Sequence, residues 1–298
     1  MKPSLTTREL STQPASWRRA TTAAAHTPGL PAPGERVAVT GCGTSWFMAQ
    51  AYAALREAAG HGETDAFASS EFPVGRTYDR VVAITRSGTT TEVLHLLDTL
   101  RGRTPTLALT ADPHTPVMHT ATEVAVLDWA DEESVVQTRF ATTALAYLRT
   151  GIDGAATVEK AAADAEEALA EELPMAALIA EQWTFLGRGW TYGLAQEAAL
   201  KMREAAGAWT EAYPAMEYRH GPVAITAPGR VTWAFGPLPD GLPAEVAATG
   251  GTLVHAEGRD PMADLVRAQR LAVTLAQTRG LNPDAPRNLT RSVILPTR

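Results

Sequence analysis

The sequence holds a single cysteine, Cys42. That excludes an internal disulfide framework and a cysteine-built zinc site, and it predicts a reducing compartment, the cytoplasm. No apolar run approaches the length of a membrane span, and the first residues lack the basic-then-apolar order of a secretion signal, so neither anchoring nor export is expected. Positive charge is scarce and scattered: Lys and Arg number 26 against 33 Asp and Glu, a formal net charge of -7. A nucleic-acid backbone would be repelled overall. Nucleotide fingerprints are missing too. Neither glycine turn of the first half reads Gly-x-Gly-x-x-Gly or Gly-Lys-Ser/Thr, which disfavours NAD and ATP, and no cofactor or metal is expected.

What is present is an ordinary globular composition, 45% hydrophobic and 20% charged over 298 residues, enough for two domains. A β-branched run at Arg36–Thr40 meets the turn Gly41-Cys42-Gly43, and Trp46–Ala59 then reads as an alanine-rich helix. The order repeats: strand Asp79–Thr85, the turn from Arg86 to Thr90, helix Thr91–Leu100, then strands at Pro105–Leu109 and Glu123–Leu127 and a helix over Val136–Leu148. Thr157–Leu173, rich in Ala and Glu, predicts a linking helix. The theme restarts with strand Trp183–Leu186, turn Gly187-Arg188-Gly189 and a helix from Tyr192, followed by strands Arg230–Phe235 and Thr252–His255. Strands alternating with helices make parallel sheets. The expected organisation is a first α/β domain over residues 1–155, a linking helix over 156–180 and a second α/β domain over 181–298. The tryptophans, Trp17 and Trp183 among them, read as packing residues.

Two hydroxyl-rich turns carry the chemistry of the first half. Gly43, Thr44 and Ser45 follow one strand; Thr85, Arg86, Ser87 and Thr90 follow another. At the carboxyl ends of parallel strands such turns converge at a switch point and suit a phosphate. In the second half Glu197, Lys201 and Glu204 recur at helical spacing and share one face, which by itself reads equally as a solvated salt-bridge ladder. Beyond them Glu211, Glu217 and the loop-like His220-Gly221-Pro222 suit an imidazole held in a cleft.

These segments, with Glu132–Thr138 (EESVVQT), Glu217–Pro222 (EYRHGP) and Pro286–Val293 (PRNLTRSV), resemble the sugar isomerase (SIS) domain family over nearly the whole chain, most closely the isomerase half of the glucosamine-6-phosphate synthases. The resemblance implies two flavodoxin-like halves, each a parallel sheet sandwiched by helices, and a phosphosugar site at the interface of a homodimer. It implies that Gly43, Thr44, Ser45, Thr85, Arg86, Ser87 and Thr90 bind phosphate, with Val135, Gln137, Thr138 and Glu197 near the sugar. Glu204 resembles the base that moves a proton between C1 and C2 of the open-chain sugar, His220 the ring-opening histidine supplied by the neighbouring subunit, and Lys201 falls at an active-site helix position. Such a base works within hydrogen-bond reach of its carbon acid, in a partly desolvated cleft.

There are departures from the family. Arg291 stands where the synthases carry an imine-forming lysine, and a guanidinium that never deprotonates cannot form an imine. Lys201 substitutes, or the chemistry runs through an enediol, or Arg291 contacts a substrate anion. Thr85 replaces a serine, and Arg86 adds charge. The glutaminase half, with its N-terminal cysteine nucleophile, is expected to be absent. The leading expectation is an isomerase or deaminase of a hexose or hexosamine 6-phosphate. Other readings are a fructosamine-phosphate deglycase, a synthase subunit fed with ammonia by a partner, and a sugar-phosphate sensor. About one helix's worth of residues before the first strand, with acidic charge, disfavours a sensor carrying a DNA-binding module.

Overall fold

A computed structural model describes residues 3–296 other than His26 and Pro28. Along the chain run α1 (Leu5–Ser11), α2 (Gln13–Ala24), β1 (Val37–Gly41), α3 (Thr44–Ala58), β2 (Thr64–Ala68), β3 (Arg80–Ile84), α4 (Thr91–Leu100), β4 (Thr106–Thr110), α5 (Val117–Thr120), β5 (Glu123–Val126), α6 (Arg139–Asp153) and α7 (Ala155–Ala170). After them come α8 (Met175–Leu178), β6 (Gln182–Gly187), α9 (Thr191–Ala206), β7 (Thr210–Pro214), β8 (Arg230–Phe235), α10 (Leu242–Ala248), β9 (Thr252–His255) and α11 (Pro261–Thr278). No helix among the described residues is long and apolar enough to cross a membrane.

The chain forms two compact units, one gathering residues 15–133, 137–159 and 290–298, the other 1–14, 134–136 and 160–289. The first holds a five-stranded sheet in the order β2-β1-β3-β4-β5, the second a four-stranded sheet in the order β7-β6-β8-β9. All pairs are parallel. In each sheet the chain starts centrally, steps to one edge and crosses back, the flavodoxin-like order, with switch points between β1 and β3 and between β6 and β8. The two α/β halves expected from the sequence are present.

Central strands are buried on both faces, which is why they read as unbroken apolar runs: every residue of β1 and β4 is buried. The edge strands β2 and β7, Thr64-Asp-Ala-Phe-Ala and Thr210-Glu-Ala-Tyr-Pro, lack that run and went unread. Two helices rather than one precede β1, separated at Thr12, whose backbone N–H turns back to Glu9 and Leu10. The helix expected from Val136 starts at Arg139. Trp17, Trp183 and Trp233 are fully buried, and each indole N–H has an acceptor: Thr142 Oγ1 at 3.0 Å, Ala177 O at 2.9 Å and Asp264 Oδ2 at 2.8 Å. Trp209 departs from the packing expectation, at 82% exposure just before the edge strand β7.

Candidate functional site

The two halves repeat one local device. Gly41 ends β1 and Gly187 ends β6; a Cβ there would meet Ser45 Cβ at 2.6 Å and Thr191 O at 2.2 Å. Each glycine lets the following helix start against the strand end. Two residues on, Gly43 (φ +55) and Gly189 (φ +57) take the positive φ that the turn needs and that glycine allows. Beyond this point the halves diverge. In the four-stranded unit, Thr191 Oγ1 is consumed locally, accepting from Arg188 N at 2.8 Å and lying 3.0 Å from Phe235 O, and the loop after β8 offers Pro237 and Pro239 where hydroxyls would be needed. In the five-stranded unit the hydroxyls are kept.

There Thr44, Ser45, Thr85, Arg86 and Ser87 are all buried. Thr85 Oγ1 has no hydrogen-bond partner among the described residues. An unmade bond at a buried hydroxyl costs about 1–3 kcal/mol, so this orphan marks a place where a ligand atom belongs. Thr90 stands at the N-cap of α4 without spending its side chain on the cap. Ser87 Oγ accepts from Thr89 N at 3.2 Å and donates to Ser292 Oγ at 3.1 Å, and Thr89 Oγ1 lies 2.9 Å from Ser292 Oγ. Residues 291–295 thus lie along the second turn: Thr91 N donates to Val293 O at 3.2 Å and Leu295 N to Thr91 Oγ1 at 2.9 Å. Arg291 is ion-paired with Asp131. Thr138 is buried at the start of α6, and beside it Gln137 Oε1 is buried without a partner among the described residues.

The four-stranded unit holds the other predicted set. On α9, Lys201 Nζ lies 3.5 Å from Glu197 Oε1 and is bonded to Glu204 Oε2. Side-chain exposures are 1% for Lys201, 0% for Glu197 and 19% for Glu204, which overturns the solvated-ladder reading of this face. Glu204 alone opens outward, onto a cavity of about 710 Å³ that Arg203, Arg279, Arg287 and Asn288 also line. Burial lowers the pKa of Arg203, against the charges of Glu204 and Glu197. Val135 is fixed here by a bond from its N–H to Asp284 O at 3.0 Å. His220 closes a 3₁₀ turn over Glu217–His220 and is exposed.

The predicted residues therefore fall into two groups. Gly43, Thr44, Ser45, Thr85, Arg86, Ser87, Thr90, Gln137, Thr138 and Arg291 belong to the five-stranded unit; Val135, Glu197, Lys201, Glu204 and His220 to the four-stranded unit. Sequence reasoning gave no site role to Glu132, Thr89, Asp131 and Ser292, although Glu132 and Ser292 lie in segments that carry the resemblance and Thr89 lies in the turn after β3. For Glu132 a signal existed, an acidic residue closely preceding a helix start. Ser292 had only its place in the segment Pro286–Val293 to mark it, since nothing in the residue itself tells it from other serines. Among the described residues no three His, Cys, Asp or Glu side chains gather as metal ligands would.

No family model matches the chain. Among curated proteins it is similar to the glutamine–fructose-6-phosphate aminotransferase [isomerizing] of Methanothermobacter thermautotrophicus, 29% identical over 303 residues covering 87% of this chain and 51% of the relative. The same-named protein of Nostoc sp. is 27% identical over 323 residues, with 87% and 52% covered. The chain spans about half the length of these curated relatives. Among solved structures, glucosamine-6-phosphate deaminase from Thermotoga maritima superposes with a TM-score of 0.82 at 24% identity, covering 98% of this chain and 100% of that one. The C-terminal domain of glucosamine-fructose-6-phosphate aminotransferase from Francisella tularensis gives 0.80 at 20% identity (96% and 99% covered). Tagatose-6-phosphate ketose/aldose isomerase from Escherichia coli gives 0.77 at 17% (99% and 98% covered). The resemblance to the sugar isomerase family is matched by these sequence relatives, and the solved structures share its fold of two parallel-sheet halves.

Proposed function

We propose that this chain is a sugar-phosphate isomerase or deaminase that moves a proton between C1 and C2 of a ketohexose or hexosamine 6-phosphate. One observation carries the reading: Glu204, bonded to the buried Lys201, opens onto a cavity, while Lys201 and Glu197 on the same α9 face are buried. A carboxylate held in this way has the reach and partial desolvation that a general base needs. The relatives support the substrate class, since each is named for a sugar 6-phosphate.

In this reading Ser45, Thr85, Ser87 and Thr90 hold the phosphate, Gln137 and Thr138 meet the sugar, and Glu204 takes the proton from one carbon and returns it to its neighbour. Lys201, held between two carboxylates, orients Glu204. Arg291 cannot form an imine and is paired with Asp131. Proton transfer through an enediol fits both facts. The exposed His220 assists ring opening in a homodimer, supplied by a second copy.

Purified protein incubated with glucosamine 6-phosphate is expected to release ammonia and fructose 6-phosphate in equal amounts, and Glu204→Gln to release neither. Equal release by the variant removes Glu204 from the mechanism. No release by the wild type, with fructose 6-phosphate still isomerised, narrows the activity to the isomerase.

A further inference from the structure

Arg86 lies in the turn expected to bind phosphate, yet its guanidinium is hidden, at 4% exposure, with both ends directed at protein. Nη2 donates to the backbone O of Arg291 at 2.9 Å, and Nη1 faces Glu132 Oε2 at 3.9 Å. Glu132 is itself fully buried. It accepts from Thr138 N at 2.7 Å, Thr138 Oγ1 at 2.8 Å, Arg139 N at 2.7 Å and Phe140 N at 3.1 Å. The helix α6 has no side-chain cap from its own N-cap residue Thr138, so this carboxylate, six residues upstream, does the capping. One buried carboxylate thereby joins the segment bearing Gln137 and Thr138 to the turn after β3, and Arg86 carries the link on to the tail at Arg291. A group with this many charge-assisted bonds fixes geometry more tightly than any neutral contact in the region.

We propose that Glu132 is a positioning residue for sugar-phosphate binding, acting through Arg86, and that Arg86 is a strut between the turn, the α6 start and the tail rather than a direct ligand of the anion. This rests on the sugar-phosphate reading above. Removing the negative charge leaves α6 one acceptor oxygen but releases Arg86, so the seat of the sugar loosens while the hydroxyls that hold phosphate stay.

The test is a double-mutant cycle on the full chain, reading the Kd of fructose 6-phosphate by titration calorimetry, with thermal unfolding to confirm the fold. Glu132→Gln is expected to raise Kd about tenfold as the buried ion pair with Arg86 is lost, and to change it less than about twofold in an Arg86→Met background. The same factor in both backgrounds overturns the link. Inorganic phosphate, titrated in parallel, keeps its Kd within about twofold in Arg86→Met; a tenfold rise makes Arg86 an anion ligand and overturns the strut. If Glu132→Gln fails to fold, Arg86→Lys keeps the charge without the fork and is expected to raise the fructose 6-phosphate Kd alone. A wild type that binds no sugar phosphate brings down the functional reading itself, whereas binding with an unchanged Glu132→Gln brings down only this inference.

Discussion

Lys201 is bonded to Glu204 three residues further along α9, an ammonium at 1% exposure beside a carboxylate at 19%. The pair divides labour by depth: the lysine is locked, and the glutamate faces the cavity. Glu204→Gln is expected to lower kcat by at least about a hundredfold, the usual contribution of a general base, with the Kd of fructose 6-phosphate changed only a few-fold. Steady-state kinetics with parallel calorimetry checks both. Lys201→Met, in contrast, strips the buried Glu197 of its cation and is expected to cost about 3–5 kcal/mol of stability, read from urea unfolding.

Thr85→Val tests the orphaned hydroxyl. Because Thr85 Oγ1 has no partner within the described chain, its loss removes no internal bond, and the melting temperature should stay level or rise. The Kd for fructose 6-phosphate should rise about tenfold. A drop in melting temperature with unchanged Kd would show the hydroxyl to be structural.

Gly187→Ala and Gly41→Ala test the repeated strand-to-helix approach. The added methyl meets backbone at 2.2 Å in the first case and Ser45 Cβ at 2.6 Å in the second. Both should destabilise by about 1–3 kcal/mol in chemical unfolding. Only Gly41→Ala, which pushes on Ser45, should also weaken sugar-phosphate binding.

The pH dependence of stability has a readable part at Glu171. Hydrogen bonds from Arg259, both at 2.7 Å, with the charge of Arg267 beside them, hold its carboxyl below the ordinary 4.5. The folded value lies below the unfolded one, so the stabilisation is present above about pH 4.5 and fades as pH falls through the lowered value. The melting-temperature gap between wild type and Glu171→Gln should be level from about pH 7 to 5.5 and shrink below 4.5. A gap that widens on acidification contradicts the pairing.

The central strands and both glycine turns were legible in the sequence because burial on two faces leaves continuous apolar runs and because close approach demands glycine at Gly41 and Gly187. The edge strands β2 and β7 were not, since Thr64-Asp-Ala-Phe-Ala and Thr210-Glu-Ala-Tyr-Pro carry no such run, although the opposite edges β5 and β9 were read. On α9, spacing alone put Glu197, Lys201 and Glu204 on one face, but not their depth, which neighbouring elements set. The start of α6 was misplaced because Glu132 caps it from a distance in sequence that local pattern does not reach. For the same reason the docking of Ser292 on Ser87 and Thr89 left no trace, as it joins residues some two hundred positions apart.

Proton transfer at carbon can be read without knowing the direction of the physiological reaction. Fructose 6-phosphate incubated with the protein in heavy water is expected to exchange hydrogen at C1 for deuterium, followed by proton NMR, and Glu204→Gln to leave that signal intact. No exchange by a wild type that binds the sugar phosphate would contradict the account and leave the chain a binder of sugar phosphates without the chemistry.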